Sequence, residues 1–244
     1  ITFIVTTYNA ANYIEETLLS VINQKKSGLT TELIVIDDGS IDETKNILLK
    51  YKLNADIYIQ ENNGVENASN HGINSAKGRY ICRIDSDDIL SENFLVDVEP
   101  YLQHNNYFYY GNYFEINSEG KTIRNISLPN FSLNEILERG DFLASGTIFP
   151  KNLVDFYGRY NEEKKNCGLE NYELVLKMIL DGKEGIHIPK SLFFYRVHDE
   201  SISTKKRGEI IEYGNSLMKK LGKKYITNEF HPALGRHKWS AIVF

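Results

Sequence analysis

Glu32–Ser40 reads ELIVIDDGS, and this stretch decides the fold. Its first six residues are mostly apolar and β-branched, which is typical of a strand buried on both faces of a parallel sheet. Asp37, Asp38 and a glycine follow at once, so the strand ends in a polar turn. Ligands of open α/β sheets bind outside the carboxyl ends of the strands. The stretch therefore predicts an α/β fold with a binding site at this edge.

The same pattern recurs on both sides of this stretch. Three further strands are predicted from short apolar runs: Thr2–Thr7, Ala55–Gln60 and Arg79–Ile84. Between the strands, a helix is predicted over Val65–Ala76, and two helices are predicted to start at capping boxes, Asn12 with Glu15 and Ser40 with Glu43. Four strand–helix units in a row predict a Rossmann-like, mostly parallel sheet flanked by helices, with right-handed crossovers.

The second half of the chain has a mixed pattern. Its predicted elements are a strand over Tyr107–Ile116, a turn at Asn117–Gly120, helices near Ser132–Arg139 and Leu169–Asp181, and a strand near Leu192–Val197. Strands and helices no longer alternate regularly, so a mixed arrangement is expected here. The basic residues from Lys205 to Lys224 predict a helix with a solvated face or, alternatively, a face that docks on an anionic membrane or a partner.

Composition is that of an ordinary globular protein. The chain has 244 residues, of which 41% are hydrophobic and 25% charged, enough for one large α/β domain or for one domain with an appendage. The net charge of −5 argues against a dedicated nucleic-acid binder, so no nucleic-acid partner is expected. Cys82 and Cys167 lack metal-site spacing and are expected to be reduced, buried thiols.

The sequence contains no apolar run of membrane-spanning length and no secretory signal pattern. It starts at Ile1 without a methionine and ends on the apolar stretch WSAIVF, so we expect a piece of a longer protein. A cytoplasmic location is expected from these observations. Peripheral contact with the inner face of the membrane through residues 205–224 is the alternative to a solvated helix.

Five carboxylates are predicted at the ends of two strands: Asp37, Asp38, Asp85, Asp87 and Asp88. Carboxylates gathered at one sheet edge repel each other unless a cation lies among them. A hard divalent cation prefers oxygen ligands together with substrate phosphates. Each acidic run alone has a simpler explanation, a polar turn that leads to a helix N-cap, and the two runs together point to a metal. Neither GxGxxG nor GxxxxGKS/T occurs in the chain, which indicates that a diphosphate is held through the metal.

Five sequence blocks occur in a fixed order along the chain. They are TTYN from Thr6, ETLLSVINQ from Glu16, ELIVIDDGSIDET from Glu32, NNGVENASNHGINSAKGRYICRIDSDD from Asn62 and YRVHDESIS from Tyr195. In combination these blocks resemble the inverting family 2 glycosyltransferases of the GT-A fold, and the resemblance runs from Thr2 to about Ser203. It implies transfer of a sugar from a nucleotide donor to an acceptor hydroxyl, with inversion at the anomeric carbon and with Mn²⁺ or Mg²⁺ as cofactor.

The resemblance implies donor-site roles position by position. The pocket for the nucleotide base would be lined by Thr7, Tyr8 and Asn9, with Asp37 or Asp38. Asp85-Ser86-Asp87 resembles the DxD motif of the family, in which Asp85 and Ser86 would bind the donor near its ribose.

The remaining residues of the motif and the last block would serve the diphosphate. Asp87 would ligate the metal with support from Asp88, His198 would approach the metal or the diphosphate, and Arg196 would neutralise the leaving group. A lone histidine is more often a surface or structural residue than a ligand, and both interpretations of His198 stay open.

The chain departs from the family at the general base. The family has a Glu-Asp pair at the start of a helix where this chain has Glu170-Asn171, and an amide does not accept a proton at neutral pH. Glu170 is the candidate catalytic base, with Glu173 or Asp141 as alternatives. Other interpretations of Asn171 are a sugar-nucleotide-binding domain with little transfer activity, or an Asp-to-Asn replacement that traps substrates. Ser69 also stands where the family often has arginine.

The expected donor is a UDP-sugar, and the expected acceptor is a hydroxyl of a glycan or a lipid-linked saccharide. The transferase domain is predicted over residues 1–204, with a nucleotide-sugar half (1–105) and an acceptor-side half (106–204). A basic helical extension is predicted over 205–244. A sugar nucleotidyltransferase is the rival enzyme class, but that class usually has a Gly-rich loop with Arg and Lys after its first strand, where this chain has Thr7-Tyr8-Asn9-Ala10.

Overall fold

The structure is a computed structural model that describes residues 1–133, 135–136, 145–220, 224–227 and 240–243. The predicted helix near Ser132–Arg139 extends beyond the described residues, and Asp141 lies outside them.

The four strands predicted in the first half are present and parallel: β1 (Thr2–Thr7), β2 (Glu32–Asp37), β3 (Asp56–Ile59) and β4 (Tyr80–Asp85). Their order in the sheet is β3-β2-β1-β4. All of β1 is buried, as is β2 apart from its first residue, because β-branched and apolar side chains fill both faces. The edge strand β3 is largely exposed.

Three helices connect these strands: α1 (Ile14–Ile22), α2 (Thr44–Leu49) and α3 (Val65–Ser75). Both predicted capping boxes, Asn12 with Glu15 and Ser40 with Glu43, are wrong, because neither α1 nor α2 has a side-chain cap. Glu15 instead accepts a hydrogen bond from a tyrosine beyond α2. The hydroxyl oxygen of Ser40 accepts the N–H of Asn9. Ser40 thus joins two loops, and at the start of α2 the N–H of Thr44 donates to Asp42 Oδ1 at 3.0 Å instead.

The second half of the chain extends the same sheet with mixed pairing. The short strand β5 (Ile89–Leu90) still belongs to the first half, and the strands of the second half are β6 (Tyr107–Ile116), β7 (Thr122–Ile126), β8 (Ile148–Pro150) and β9 (Glu184–Arg196). The sheet continues β4-β8-β6-β9-β5, and β7 pairs with β6. β8 is antiparallel to β4 and β6, whereas β6 and β9 are parallel. The expected mixed half is confirmed, although β9 starts eight residues earlier than the predicted strand.

The next three helices along the chain are α4 (Phe94–Val98), α5 (Lys151–Phe156) and α6 (Glu170–Leu180). The predicted turn at Asn117–Gly120 is confirmed, since it joins β6 to the antiparallel strand β7. Cys82 and Cys167 are both buried and free, as expected. Among the residues that the structure describes, no helix is both long and apolar enough to cross a membrane.

The C-terminal segment contains α7 (Ile202–Lys205), α8 (Arg207–Lys220), β10 (Lys224–Thr227) and β11 (Ser240–Val243). The prediction of a helical extension is correct only up to Lys220, because β10 and β11 pair as antiparallel strands. Ile210 and Leu217 of α8 are buried, and Tyr213 donates a hydrogen bond to Glu173 of α6. One face of this basic helix therefore packs against the domain.

Candidate donor and acceptor site

Three parallel strands bring the predicted donor residues to one edge of the sheet. The register pairs Thr7 with Asp37 and Thr6 with Asp85. Because the carboxyl ends of parallel strands share an edge, the turns that follow β1, β2 and β4 lie side by side. This edge corresponds to the crevice in which ligands of α/β sheets bind.

The turn after β1 is shaped by Asn9. Its φ of 51° is left-handed, a conformation that asparagine tolerates better than most residues. Its N–H donates to Ser40 Oγ at 2.9 Å, and its Oδ1 accepts the N–H of Ile41 at 2.9 Å. Tyr8 is 49% exposed, and the buried hydroxyl of Thr7 has no hydrogen-bond partner among the described residues. Asn9 thus joins two turns, and Thr7 retains a polar atom for a ligand.

The two aspartates after β2 differ in their contacts. Asp38 accepts hydrogen bonds from Gln60 Nε2 at 2.8 Å and from the N–H groups of the two residues before α3 at 2.9 and 2.8 Å. Asp37 Oδ1 accepts the N–H of Ser40 at 3.0 Å. The buried Oδ2 of Asp37 has no hydrogen-bond partner in the described part of the chain. Asp38 therefore organises the loop before α3, whereas Asp37 retains an acceptor atom for a donor group of a ligand.

The acidic turn after β4 is held by hydroxyl groups from two other segments. The Thr17 hydroxyl of α1 lies 2.9 Å from the carbonyl oxygen of Ser86 and 2.8 Å from that of Asp88. The N–H of Asp85 donates to Ser145 Oγ at 2.9 Å. These contacts fix the main chain of the turn, so the directions of its carboxylates are set before any ligand arrives.

The two predicted metal ligands lie next to each other. His198 Nε2 is 2.8 Å from Asp87 Oδ2, and their side chains are 10% and 24% exposed. The imidazole also packs against Tyr13, with the ring centroids 5.0 Å apart. A histidine nitrogen and a carboxylate oxygen that converge at one point are a common donor set for divalent cations.

The acidic turn carries an electrostatic penalty. Burial raises the pKa of Asp88 well above its ordinary value, and the nearby charges of Asp87 and Asp85 raise it further. Burial also raises the pKa of Asp85 against the opposing effect of Arg83. The Oδ2 atom of Asp88 is buried without a hydrogen-bond partner in the residues described. A hard cation relieves each of these costs, so the residues present fit Mn²⁺ or Mg²⁺.

Arg196 is committed to protein contacts in this conformation. Its side chain is only 1% exposed. The guanidinium donates to the carbonyl of Asp87 at 2.8 Å and to those of Asn117 and Ser118 at 3.2 Å each, and it pairs with Glu16 at 2.6 Å. The role of Arg196 toward a leaving group stays a prediction. Arg196 supports the main chain that carries Asp87.

Glu170, the candidate base, is the first residue of α6 and pairs with Arg83 of β4. The distance from Glu170 Oε1 to Arg83 Nη1 is 2.8 Å, and Arg83 Nη2 is 3.4 Å from Asp85 Oδ1. Burial raises the pKa of Glu170, the Arg83 charge opposes this, and Glu66 and Asp85 add to the increase. A carboxylate with a raised pKa is suited to accept a proton near neutral pH.

The other candidates near the start of α6 have structural contacts. Asn171 is 5% exposed and accepts a hydrogen bond from Tyr160 at 2.9 Å. Glu173 accepts the hydroxyl of Tyr213 at 2.6 Å and so joins α6 to α8. Of the candidate bases in the described ranges, Glu170 is the one joined to the donor side of the site.

Sequence reasoning missed Arg83 and Glu66. Arg83 interrupts the otherwise apolar strand YICRID, and a charge between buried neighbours signals a buried partner. Glu66 is 1% exposed and accepts the N–H groups of Asn166 and Cys167 at 2.8 and 2.7 Å. These contacts hold the loop before α6 against α3. No local pattern predicts them, because the partners lie 100 residues apart in the chain.

The comparisons with known proteins identify the family of the chain. Residues 2–159 match the family described as Glycosyl transferase family 2. An uncharacterized glycosyltransferase of Rickettsia felis is 30% identical over 219 residues, which cover 84% of this chain and 35% of that protein. The Escherichia coli UDP-Glc:alpha-D-GlcNAc-diphosphoundecaprenol beta-1,3-glucosyltransferase WfaP is 28% identical over 220 residues, which cover 89% of this chain and 85% of that protein.

Solved structures resemble the whole fold. The structure of S. aureus TarS 1-349 in complex with UDP-GlcNAc superposes with a TM-score of 0.72 at 20% identity, covering 90% of this chain and 66% of that chain. The present chain spans 35% of the length of the first curated relatives that it matches. Because the family match covers well over half of the chain, the chain belongs to glycosyl transferase family 2 and has the GT-A fold.

Proposed function

We propose that this domain transfers a sugar from a UDP-sugar to a hydroxyl of a glycan or a lipid-linked saccharide, in a metal-dependent reaction that inverts the anomeric carbon. The observation that carries the proposal is the convergence of Asp87 and His198 beside Asp85, with Glu170 joined to Asp85 through Arg83. The names of the relatives support the substrate class, since WfaP uses UDP-Glc and a lipid-linked acceptor, and TarS was solved with UDP-GlcNAc.

The donor side supplies recognition and charge. Thr7 and Asp37 each keep a buried oxygen without a hydrogen-bond partner in the described segments, and such atoms pair with the polar edge of a base. Asp87 and His198 would hold a divalent cation, which when bound stabilises the charge that develops on the departing diphosphate. Arg196 keeps the turn of Asp87 in place from behind.

The acceptor side supplies the base. Glu170 would take the proton of the acceptor hydroxyl as that oxygen attacks the anomeric carbon, a contribution of roughly 10²–10⁴-fold in rate. A single attack from the face opposite the leaving group inverts the configuration. With both substrates bound, the site would have to exclude water, which would otherwise hydrolyse the donor.

A second candidate is a domain that binds the donor but transfers little sugar. Two observations favour it: Asn171 is an amide bonded to Tyr160, and Glu170 is paired with Arg83 in this conformation. The two functions differ in turnover and not in nucleotide binding.

Calorimetric titration of UDP, GDP and dTDP with Mn²⁺, and again with a chelator, tests the donor site first. We expect metal-dependent binding of UDP that Asp87→Asn weakens and that Asp56→Asn, an exposed change on β3, leaves unchanged. Binding that is equal with chelator would refute the metal site. Binding of none of the nucleotides to the folded protein would refute the donor site.

Release of UDP from UDP-Glc or UDP-GlcNAc then separates transferase from binding domain. We expect Glu170→Gln to lower turnover by about 10²-fold or more while UDP still binds. A rate within a few-fold of the parent would exclude Glu170 as the base. An inert parent that Asn171→Asp activates would support the binding-domain candidate. Pyrophosphate release from a nucleoside triphosphate and a sugar phosphate would indicate a nucleotidyltransferase instead.

Peripheral membrane contact at the cytoplasmic face, through residues 205–224, belongs to the same proposal. Ile210 and Leu217 of α8 pack against the domain, so contact would depend on exposed basic residues such as Lys219 and Lys220 and on anionic lipid. Sedimentation with phosphatidylserine vesicles at low and high salt tests it. Binding to neutral vesicles alone, or no binding, would contradict it.

A further inference from the structure

A buried polar chain runs from the donor side of the site to its acceptor side. Asp85 Oδ1 lies 3.4 Å from Arg83 Nη2, and Arg83 Nη1 lies 2.8 Å from Glu170 Oε1. The guanidinium also lies over the ring of Tyr160, 5.7 Å from its centroid, and Tyr160 donates to Asn171 at 2.9 Å. One side chain thus contacts a carboxylate from each half of the proposed site.

The chemistry of arginine suits this position. Arg83 is 7% exposed, and a charge buried to that degree persists only when it is paired. Its planar fork reaches two carboxylates at once, which a lysine ammonium on a flexible stem does less well. Neither Nε nor Nη1 has hydrogen-bond geometry to a partner in the described part of the chain. The contact with Glu170 therefore rests on charge and proximity, and it is the shorter of the two contacts that the guanidinium makes with carboxylates.

The surroundings of Glu170 show why a cation is needed there. Ligand atoms of Glu66, Cys167 and Glu170 lie within 4.8 Å of one another, and all three residues are buried. Glu66 is already satisfied by two backbone N–H groups. Arg83 supplies the positive charge beside Glu170, so the group needs no second metal ion. Among the described residues, removal of Arg83 would leave Glu170 near two carboxylates, a phenol and a thiol, those of Glu66, Asp85, Tyr160 and Cys167.

We propose that Arg83 is a positioning residue that holds Glu170 in place and couples the donor-binding carboxylate Asp85 to it. When the donor engages Asp85, Arg83 no longer shares its charge with that carboxylate and, from its 2.8 Å contact, keeps Glu170 ionised for the acceptor. Donor binding thereby prepares the base. This inference rests on the proposed function, because it requires Asp85 and Glu170 to serve the two substrates.

Two variants and two controls test the role through turnover. Arg83→Met removes the charge, and Arg83→Lys keeps the charge without the fork. Arg79→Met changes an exposed arginine just before the same strand, where it contacts Asn105. Tyr160→Phe keeps the ring over Arg83 and removes only the hydroxyl. The assays are UDP release from UDP-GlcNAc with Mn²⁺ over a series of pH values, and UDP affinity by calorimetry.

We expect Arg83→Met to lower the rate of UDP release about 10²-fold or more, with UDP affinity changed by only about threefold. The acidic limb of its pH–rate profile moves to higher pH, because Glu170 loses the positive charge that favours its ionised form. Arg83→Lys recovers part of the rate, and Arg79→Met resembles the parent. An unchanged pH profile, or a loss of affinity equal to the loss of rate, would overturn the proposal.

A second readout is independent of turnover. Glutamate labelled with ¹³C at the carboxyl carbon reports the titration of Glu170, with the signal assigned through Glu170→Gln. We expect the midpoint to rise in Arg83→Lys and further in Arg83→Met, and to fall in the parent when UDP and Mn²⁺ are added. Equal midpoints in parent and variants would refute the coupling even if the enzyme is active. An inert parent that shows these shifts would refute the proposed transfer and retain the coupling. If Arg83→Met does not fold, Arg83→Lys alone tests the proposal: a raised midpoint of Glu170 supports it, and a midpoint equal to that of the parent refutes it.

Discussion

Replacement of Arg196 by methionine tests how the turn of Asp87 is supported. The native guanidinium makes three hydrogen bonds to main-chain carbonyls and an ion pair with Glu16, and it is almost fully buried. Arg196→Met retains much of the apolar stem but removes this donor from the carbonyls of Asp87, Asn117 and Ser118, of which Asn117 still accepts the N–H of Gly120.

The expected loss follows from these contacts. A carbonyl that loses its partner costs about 1–3 kcal/mol when it is buried, but Ser118 is exposed and Asp87 and Asn117 are half-buried, so water replaces part of the lost bonding. Glu16 is 56% exposed, so water compensates it, and its share is small. The free energy of unfolding should fall by about 2–3 kcal/mol in total. Affinity for Mn²⁺ should also fall by about 10–100-fold, because the main chain behind a ligand sets its direction.

Urea-induced unfolding measures the first effect, and titration of Mn²⁺ in the presence of UDP measures the second. Lys25→Met is the matched control. Its ion pair with Glu92 has a similar length of 2.8 Å, but both side chains are more than half exposed, and its loss should cost at most about 1 kcal/mol. Equal losses in the two variants would show that burial does not decide the strength of the Arg196 contacts and would refute the reasoning.

Three further predictions follow from single contacts. Burial raises the folded-state pKa of Asp88, so its carboxylate lowers stability as the pH rises from the unfolded value of about 4. With chelator present, Asp88→Asn should therefore be more stable than the parent near neutral pH but not in acid. Urea unfolding measures both proteins at the two pH values, and an equal difference in stability at both pH values would contradict the prediction. Gly168→Ala should lower the free energy of unfolding by about 1–3 kcal/mol, because φ is +68° and the new Cβ would lie 2.6 Å from Ile210 Cδ1. In a double-mutant cycle, Ile210→Ala should remove the cost of the clash but not the cost of the backbone strain. Tyr213→Phe removes the 2.6 Å hydrogen bond to Glu173 and should lower the free energy of unfolding by about 1 kcal/mol. The midpoint of thermal unfolding should therefore fall, and an unchanged midpoint would mean that this bond does not hold α8 in place.

The parallel half of the sheet could be predicted because its signal is local. β1 and β2 are continuous apolar runs, and each is followed by polar residues at the strand end. β8 could not be predicted, because three residues carry no usable period and the strand exists by pairing with β4 and β6. The capping boxes failed for a related reason: Ser40 contacts Asn9, which lies in another turn.

In the candidate site, too, some residues could be predicted from the sequence and others could not. Asp85 and Asp87 were found from the sequence because they follow a predicted strand directly, and chain order places strand ends together. The contacts of Arg196 were not found, because Glu16 lies 180 residues away in the chain. The pairing of Arg83 with Glu170 also depends on tertiary packing. A charged residue within an apolar strand indicates that a buried partner exists, but it does not identify that partner.

The position of β4 in the sheet bears on how domains of this kind can be recombined. β4 pairs with β1 on one side and with β8 on the other, so it lies between the parallel half of the sheet and the mixed half, the proposed donor and acceptor sides. We expect a chimera that exchanges the mixed half for that of a relative to preserve the parallel half if the new part supplies a strand that pairs with β4. It must also bring an acidic residue to face Arg83. Without an acidic partner, the chimera would bury the positive charge of Arg83 unpaired.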